Sequence, residues 1–368
     1  MHWRRGFLIG LLLGIVVAIT WSLAVRLGLI PGPAGAPAAP AARMPALDSV
    51  AWLGGSAPAA PDSGAPEVIA VFSDTDPAAF DLLPAVEVWF ESYARWGVEV
   101  RALHRPQFAF AADTAVAGRC VRRLGVGFPV ALDPALALTV PLPAGRVSAV
   151  LVGDRGGAVQ VTCVAPGDLV AADRWLRARI AALHPDAGVA PGPATFALPR
   201  RAPAPAKLVR LGAGQVPDGP LADVAPGVTH AFVTQTRFEE EGRMWTPVPV
   251  GRWLPGGDGL TGMRGGAANF VAIRYHAGRA GVVASPPAGA GARLWVLRDE
   301  AWLPAAARGP DVRADGTGAT YVDVSEPRLY RLTSDRGAHV LKLSPDAPGL
   351  TLHALTFEDP AGAAAAPR

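Results

Sequence analysis

Cysteine and histidine are scarce in this 368-residue sequence, which contains two cysteines and seven histidines. The two thiols, Cys120 and Cys163, form no Cys-x-x-Cys pair, and the histidines are dispersed without an HExxH motif. Zinc sites in proteins require Cys or His ligands that recur at short, regular spacings. We therefore expect neither a metal site nor a bound cofactor.

An excess of charge of one sign is also absent. The chain has 34 basic and 31 acidic residues, so its net charge is only +3, and its arginines are scattered rather than clustered. Proteins that bind nucleic acid usually concentrate Lys and Arg in a patch or stripe. We therefore expect no nucleic-acid partner.

A long apolar run occurs at the N-terminus. Arg4 and Arg5 precede residues 6–25, which carry no formal charge and are numerous enough to cross the ~30 Å hydrocarbon core as a helix. A cleaved signal peptide is the alternative, but the run exceeds the usual ~7 to 15 residue signal core. The positive-inside rule places the N-terminus in the cytoplasm. We therefore interpret residues 1–29 as a single-pass anchor in the bacterial inner membrane, with the bulk of the chain in the periplasm.

Proline and glycine are abundant, with 37 and 42 residues, and many of them lie in tracts that are also rich in alanine. Two such tracts, residues 30–66 and 186–206, are typical of linkers. They separate a first domain, residues 67–185, from a second domain, residues 207–358. Residues 359–368 are expected to form a disordered tail.

The first domain opens with a strand, a tight turn and a helix. Residues 68–72 are apolar, Asp76 is placed to cap the helix, and Pro77 takes its first position. Large apolar residues then recur at helical spacing: Leu82, Val86, Trp89, Tyr93 and Trp96. The later patterns predict a strand at 97–106, a helix at 111–124, a strand at 128–133, a hairpin at 147–164 and a helix at 166–183. This alternation indicates an α/β fold.

The first domain resembles the thioredoxin fold, specifically its membrane-tethered thiol-oxidoreductase and redoxin branch. In that family a Cys-x-x-Cys motif is followed by Leu-Pro, which Leu83 and Pro84 match. Asp76 and Ala79 therefore stand where the two cysteines would be, and Val147 stands where the family has a cis-proline. Because exchange requires attack by a thiolate, the resemblance implies a fold that has lost its redox chemistry. A trans peptide is expected at Val147, since cis costs ~2.5 to 4 kcal/mol there.

Cys120 and Cys163 allow three interpretations: two buried free thiols, a structural disulfide, or a redox-active pair. Cys120 falls in a predicted helix and Cys163 at a strand end, and nothing in the sequence brings them together. We favour two buried thiols. The acids Asp74, Asp76 and Asp81 cluster nearby. Turn and capping roles account for Asp74 and Asp76, so we do not assign acid–base catalysis to this cluster.

Short alternating runs separated by glycine-rich turns fill residues 207–358 and predict an antiparallel β-sandwich. The clearest runs are residues 230–235, 268–277, 293–300, 328–334, 339–344 and 350–357. Gly257, Gly259 and Gly262 spell GxGxxG, but they lie among predicted strands and precede no helix. They therefore indicate a turn-rich loop rather than a dinucleotide site.

The second domain resembles the C-terminal domain of the cytochrome c biogenesis protein DipZ group. The similar segments are GRWLPG at 251–256, DVRADGTGATYVDVSEPRLYRL at 311–332 and LHALTFED at 352–359. In that group a thioredoxin-like domain precedes a jelly-roll that resembles carbohydrate-binding modules, and the resemblance implies the same order here. This chain has a single anchor in place of the group's polytopic membrane portion.

Aromatic residues make sugar binding a candidate role of the second domain. Trp253 and Trp302 lie beside glycine or proline in predicted loops and are candidate ligand-binding residues, whereas Trp295 and Tyr330 are expected in the core. Asp311, Asp315 and Asp323 flank a glycine turn, but their spacing does not match an EF-hand. We interpret these three carboxylates as solvated turn residues.

The combined interpretation is a membrane-anchored periplasmic protein without redox catalysis. It is expected to act as a binding or scaffolding factor at the cell envelope, with a glycan or an envelope protein as its partner. The alternative is a thiol–disulfide oxidoreductase or peroxidase that works through Cys120 or Cys163.

Overall fold

The computed structural model describes residues 42–55, 64–185, 206–216, 218–233 and 243–358. The predicted membrane anchor and the predicted tail lie outside these residues, as does most of each linker. Across the described ranges, no helix is both long and apolar enough to span a membrane.

Residues 43–183 form an α/β domain built on a six-stranded mixed sheet. Its strands are β1 (Ala51–Trp52), β2 (Pro66–Phe72), β3 (Glu99–His104), β4 (Val130–Leu132), β5 (Ala149–Asp154) and β6 (Val159–Cys163). They lie in the order β1-β4-β3-β2-β5-β6. The three strands β2, β3 and β4 are parallel, whereas β1, β5 and β6 pair antiparallel to their neighbours. The sheet therefore combines a parallel centre with a C-terminal hairpin.

Three helices complete this domain: α1 (Pro77–Tyr93), α2 (Thr114–Arg123) and α3 (Leu169–Leu183). Helix α1 begins as its sequence predicts, because the Asp76 carboxylate accepts a hydrogen bond from the Ala78 amide at 3.1 Å and Pro77 follows it. A short 3₁₀ turn after α1 ends at Gly97, whose φ of 80° suits glycine. From β2 onward, the strands and helices follow the predicted order. Strand β1 lies in the stretch that the sequence analysis assigned to the first linker.

The core of the α/β domain lies on both faces of its sheet. On one face, Leu82, Val86 and Trp89 of α1 pack with residues of α2, α3 and the central strands. On the other face, Met44 and Leu47 of the segment before β1 cover Ile69 and neighbouring strand residues. Strand β2 is consequently buried along its whole length, which explains the uninterrupted apolar run at residues 68–72. The buried Glu67 pairs with Arg101 of β3.

The described residues between 207 and 358 form a β-rich region, in which thirteen strands are assigned. They are β7 (Lys207–Arg210), β8 (His230–Phe232), β9 (Val248–Pro255), β10 (Leu260–Gly262), β11 (Phe270–Ala277), β12 (Arg279–Ser285), β13 (Ala292–Arg298), β14 (Ala301–Trp302), β15 (Arg313–Ala314), β16 (Thr320–Val324), β17 (Arg328–Arg331), β18 (Gly337–Pro345) and β19 (Thr351–Glu358). Every pairing between these strands is antiparallel. The predicted antiparallel architecture is therefore present.

Strand β9 joins two sheets that face each other. We call the sheet β9-β10-β19-β12-β17, with β7 and β8 attached, the proximal sheet, and the sheet β15-β16-β13-β18-β11-β9, with β14 attached, the distal sheet. Inward residues of the distal sheet, such as Leu294 and Leu341, share one apolar cluster with Val282 and Leu355 of the proximal sheet. This shared core makes the region a two-layer β structure.

The α/β domain packs on the outer face of the proximal sheet. Phe108 and Phe110 stack with ring centroids 5.8 Å apart, and Phe108 packs with Val283 and Ala354 of that sheet. Strand β12 is thus covered on both faces, so its sequence, RAGVVAS, lacks the alternation of a half-exposed strand. That is why the sequence pattern did not predict it. The outer face of the distal sheet lies on the opposite side from the α/β domain.

Candidate functional site

The turn between β2 and α1 occupies the position expected for the redox motif. Ser73, Asp74, Thr75 and Asp76 are all buried there. The Ser73 amide donates to Ser148 Oγ at 3.3 Å, and Thr75 Oγ1 donates to Gln107 Oε1 at 2.9 Å. The turn is therefore held by hydrogen bonds to the segments that precede β5 and follow β3.

Asp76 and Val147 lie together, as the sequence analysis expected for the two halves of this site. Both line a pocket of about 260 Å³, and the peptide bond before Val147 is trans. Burial raises the pKa of Asp76, while hydrogen bonds from Ser148 and the Ala78 amide oppose that shift. Ala79 follows on α1 and is fully buried. The start of α1 thus has a capping carboxylate at Asp76 and a buried methyl group at Ala79.

The β-rich region covers this pocket. Ala206, Leu208 and Thr356 form part of its wall, opposite Asp76. Next to it, Arg210 Nη2 donates to the Gln107 carbonyl at 3.0 Å. Strands β7 and β19 therefore contribute to the pocket at the N-terminus of α1.

Asp74 does not play the hydrogen-bonding turn role that its position suggested. Its side chain is 1 % exposed, and neither carboxylate oxygen has a hydrogen-bond partner among the described residues. His104 Nε2 lies 3.6 Å from Asp74 Oδ1, and both groups are buried. Asp74 therefore lies in the predicted turn, but its side chain enters the interior of the domain. Asp81 instead lies on α1 and pairs with Arg279 at 3.2 Å.

Cys120 and Cys163 are both free and buried. Burial raises the pKa of each thiol to about 12, and the nearby carboxylates Asp74 and Asp168 add to the respective shifts. At pH 7 a thiol with that pKa is ionised in about one molecule in 10⁵. Both thiols are therefore buried and almost entirely protonated at neutral pH.

The three acids around the glycine turn of the β-rich region serve separate structural roles. Asp311 pairs with Arg328 at 2.9 Å, and Asp323 pairs with Arg313 at 3.1 Å. Asp315 accepts hydrogen bonds from the amides of Thr317 and Ala319. Hydrogen bonds from Thr317 are the main reason that the pKa of Asp315 is lowered. In the described ranges, no group of three or more metal-ligating side chains is assembled.

Trp253 is not the exposed platform that its flanking sequence suggested. It lies within β9, is 0 % exposed, and its indole nitrogen donates to the Val250 carbonyl at 2.8 Å. The neighbouring Gly251 has a φ of 95°, and a Cβ there would lie 2.3 Å from Asn269 Oδ1. Gly251 therefore permits close packing inside a strand rather than marking a loop. The prediction of Trp253 as a ligand-binding residue is wrong.

Trp302 is 42 % exposed and lies in β14, where it pairs with Leu297 of β13. Trp295, expected in the core, is half-buried on the outer face of the distal sheet because Leu294 and Val296 take the inward positions. The centroids of the Trp295 and Trp302 rings are 6.0 Å apart with an interplanar angle of 56°. The alternation of β13 was the signal that could have placed Trp295 outward.

The two indoles form part of an apolar pocket of about 310 Å³ on the distal sheet. Its lining is Ala267, Trp295, Leu297, Trp302, Ala319, Lys342 and Ser344. Tyr321 extends the aromatic surface, since its ring centroid lies 5.5 Å from that of Trp295. The described part of the chain thus has a polar, covered pocket beside α1 and an aromatic pocket on the far side of the β-rich region.

No family model matches the chain, and no curated protein matches it. A thiol:disulfide interchange protein of the thioredoxin family from Chlorobium tepidum is similar at 16% identity and a TM-score of 0.28, over 40% of this chain and 99% of that one. A secreted Mycobacterium tuberculosis disulfide oxidoreductase homologous to DsbE is similar at 16% identity and a TM-score of 0.25, over 36% of this chain and 93% of that one. A family two carbohydrate esterase from Cellvibrio japonicus is similar at 15% identity and a TM-score of 0.23, over 31% of each chain.

Proposed function

We propose that the chain is a thioredoxin-like protein that has lost redox catalysis and acts as a binding or scaffolding factor at the bacterial cell envelope. The N-terminal apolar run would anchor it in the inner membrane and hold the described residues in the periplasm. The β-rich region, which resembles the DipZ-type jelly-roll in sequence, would supply the binding surface.

One observation carries this proposal: the chain's own strands cover a redox position that has no thiol. The resemblance puts Asp76 and Ala79, at the start of α1, in place of a dithiol, and Leu208 and Thr356 line the same pocket as Asp76. Disulfide exchange needs both a thiolate and room for the attacked disulfide. No thiol is present at this position, and residues of β7 and β19 line the pocket in front of it, which supports the proposal.

The alternative function, catalysis through Cys120 or Cys163, is disfavoured on physical grounds. Each thiol is at most 1 % exposed and has a pKa of about 12. Reactive cysteines in proteins lie in electropositive, partly exposed surroundings that lower the pKa instead. Cys120 has the Asp74 carboxylate nearby, which has the opposite effect.

The test is an activity assay of the full-length protein with insulin disulfides and with hydrogen peroxide, run beside thioredoxin and a thiol peroxidase as positive controls. We expect no turnover above the uncatalysed rate, for the wild type as for Cys120→Ser and Cys163→Ser. Turnover by the wild type that either substitution abolishes would overturn the proposal in favour of the oxidoreductase or peroxidase alternative.

A further inference from the structure

The aromatic pocket of the distal sheet leaves a large apolar side chain in contact with solvent. Trp302 is exposed over 42 % of its surface, although Leu297 and Trp295 lie directly beside it. Exposed apolar surface that surrounds a concave pocket commonly marks a binding site. The volume of about 310 Å³ is at the lower end of the range for small-ligand sites.

The backbone holds Trp302 in place through an unusual turn. The hairpin between β13 and β14 turns at Asp299 and Glu300, whose φ values are 53° and 58°. Two-residue hairpin turns of this type favour Asn and Gly, and strained residues in proteins concentrate at functional sites. The turn is also fixed to β18, because the Val340 amide donates to Asp299 Oδ1 at 2.8 Å and Lys342 Nζ donates to Glu300 Oε2 at 3.0 Å.

Charges of both signs lie near the pocket: Lys342 is one of its lining residues, and the others lie on the strands and turn beside it. Lys342 and Glu300 pair at one side, and Arg293 lies 4.5 Å from the centroid of the Tyr321 ring at another. Asp323 lies 3.8 Å from Arg293. The ligand should therefore have an apolar face that stacks on the indoles. At its edges it should carry hydroxyl groups, which can hydrogen-bond with both the donors and the acceptors of the protein.

Sugars in their ring form have this combination of surfaces. The C–H groups on one face of a pyranose carry partial positive charge and stack on the electron-rich face of an indole. Its hydroxyl groups project from the edge of the ring and meet polar groups at the rim. A lipid chain would place apolar surface against the charged rim, and an added peptide strand would need a free sheet edge, whereas this pocket lies on a sheet face.

We propose that this pocket binds a pyranose ring of an uncharged envelope glycan, with Trp302 and Trp295 as the stacking surfaces. The proposal rests on the proposed function, since it names the ligand class of a non-catalytic binding protein. Lys342 and Glu300 supply hydrogen bonds at the ring edge. The turn residue Asp299 is a positioning residue, because it fixes the hairpin that carries Trp302.

The test is calorimetric titration of the full-length protein with soluble tetramers of N-acetylglucosamine and of glucose. Trp302→Ala and Trp295→Ala are compared with the wild type, and Trp302→Phe tests rescue by another aromatic ring. Val228→Ala, at an apolar residue that is 53 % exposed elsewhere in the β-rich region, is the matched control. Circular dichroism and thermal melting establish that each variant folds. Trp302 is on the surface, so its variants should remain folded. They keep the test decisive even if Trp295→Ala unfolds.

We expect saturable binding of at least one tetramer, weakened by about tenfold or more in Trp302→Ala and largely restored in Trp302→Phe. Val228→Ala should bind like the wild type. Absence of saturable binding, or equal binding by the wild type and Trp302→Ala, would overturn the inference. A chain that binds no sugar and also reduces no disulfide leaves the proposed function standing, whereas disulfide turnover removes that function whatever the pocket binds.

Discussion

Arg279 on β12 donates a hydrogen bond to Asp81 on α1 across 3.2 Å and also pairs with Glu358 on β19 at 3.0 Å. The guanidinium thus connects the helix that would carry the redox motif with two strands of the proximal sheet. Asp81 belongs to the α/β domain, and Glu358 belongs to the β-rich region. Because both carboxylates pair with this one cation, the ion pairs contribute to holding the two parts together.

Replacement of Arg279 by Ala should therefore destabilise the whole protein. Above pH 7, where Glu358 is mostly ionised, the replacement leaves that largely buried carboxylate without its cation, and removal of one partner of such a pair costs about 2 kcal/mol at this partial exposure. Chemical unfolding followed by tryptophan fluorescence measures the loss. Arg313→Ala is the control, because Arg313 pairs with Asp323 while 71% exposed, and we expect it to cost less than about 1 kcal/mol. Equal losses of unfolding free energy in the two variants would contradict the prediction, because Arg279 would then stabilise the fold no more than an exposed ion pair does.

The protein should lose stability as the pH rises from about 4.5 to about 7. Burial raises the pKa of Glu358 from 4.5 to about 7, although Arg279 opposes that shift. The folded state then binds a proton that the unfolded chain has released, so stability is fully present below pH 4.5 and is lost as the pH rises through 7. We expect a contribution of about 1 to 3 kcal/mol from this group.

Glu358→Gln is the variant that isolates this effect, since glutamine keeps the shape of the side chain and does not titrate. The difference in the free energy of unfolding between wild type and variant should change by that amount between pH 4.5 and pH 8. A difference that stays constant across this range would contradict the raised pKa of Glu358.

The sequence predicted those parts of the fold that local patterns determine. The helix α1 followed from its apolar spacing, and its start followed from Asp76 and Pro77. Strand β12 was missed because the α/β domain buries its outer face, which no local pattern records. Trp253 and Trp295 were misplaced for a related reason: whether an aromatic residue faces the core or solvent depends on strand register and on Gly251, and both are set by packing between distant segments. The jelly-roll topology stays a prediction.

Neither thiol should react with reagents while the protein is folded. Cys120 and Cys163 are buried, with pKa values of about 12, so an aromatic disulfide reagent at pH 7 has neither access nor thiolate to attack. We expect two thiols to react after denaturation and none on the native protein within the same period. Rapid labelling of one thiol in the native state would contradict this prediction, because it would show that the site of that thiol opens. Single Cys→Ser variants would then identify which of the two cysteines is labelled.

Replacement of Glu300 by Gly should stabilise the hairpin that carries Trp302. Glu300 adopts a φ of 58°, in the left-handed region where a Cβ costs about 1 kcal/mol. Its ion pair with Lys342 is half-exposed, so its loss should cost less than about 0.5 kcal/mol. The net effect should be a gain of up to about 1 kcal/mol in the free energy of unfolding. Glu300→Gln separates the loss of the ion pair from the relief of backbone strain, because it removes the charge and keeps the Cβ. If the glycine variant is no more stable than the glutamine variant, the turn stores no strain and Trp302 is held by the contacts of Asp299 and its neighbours alone.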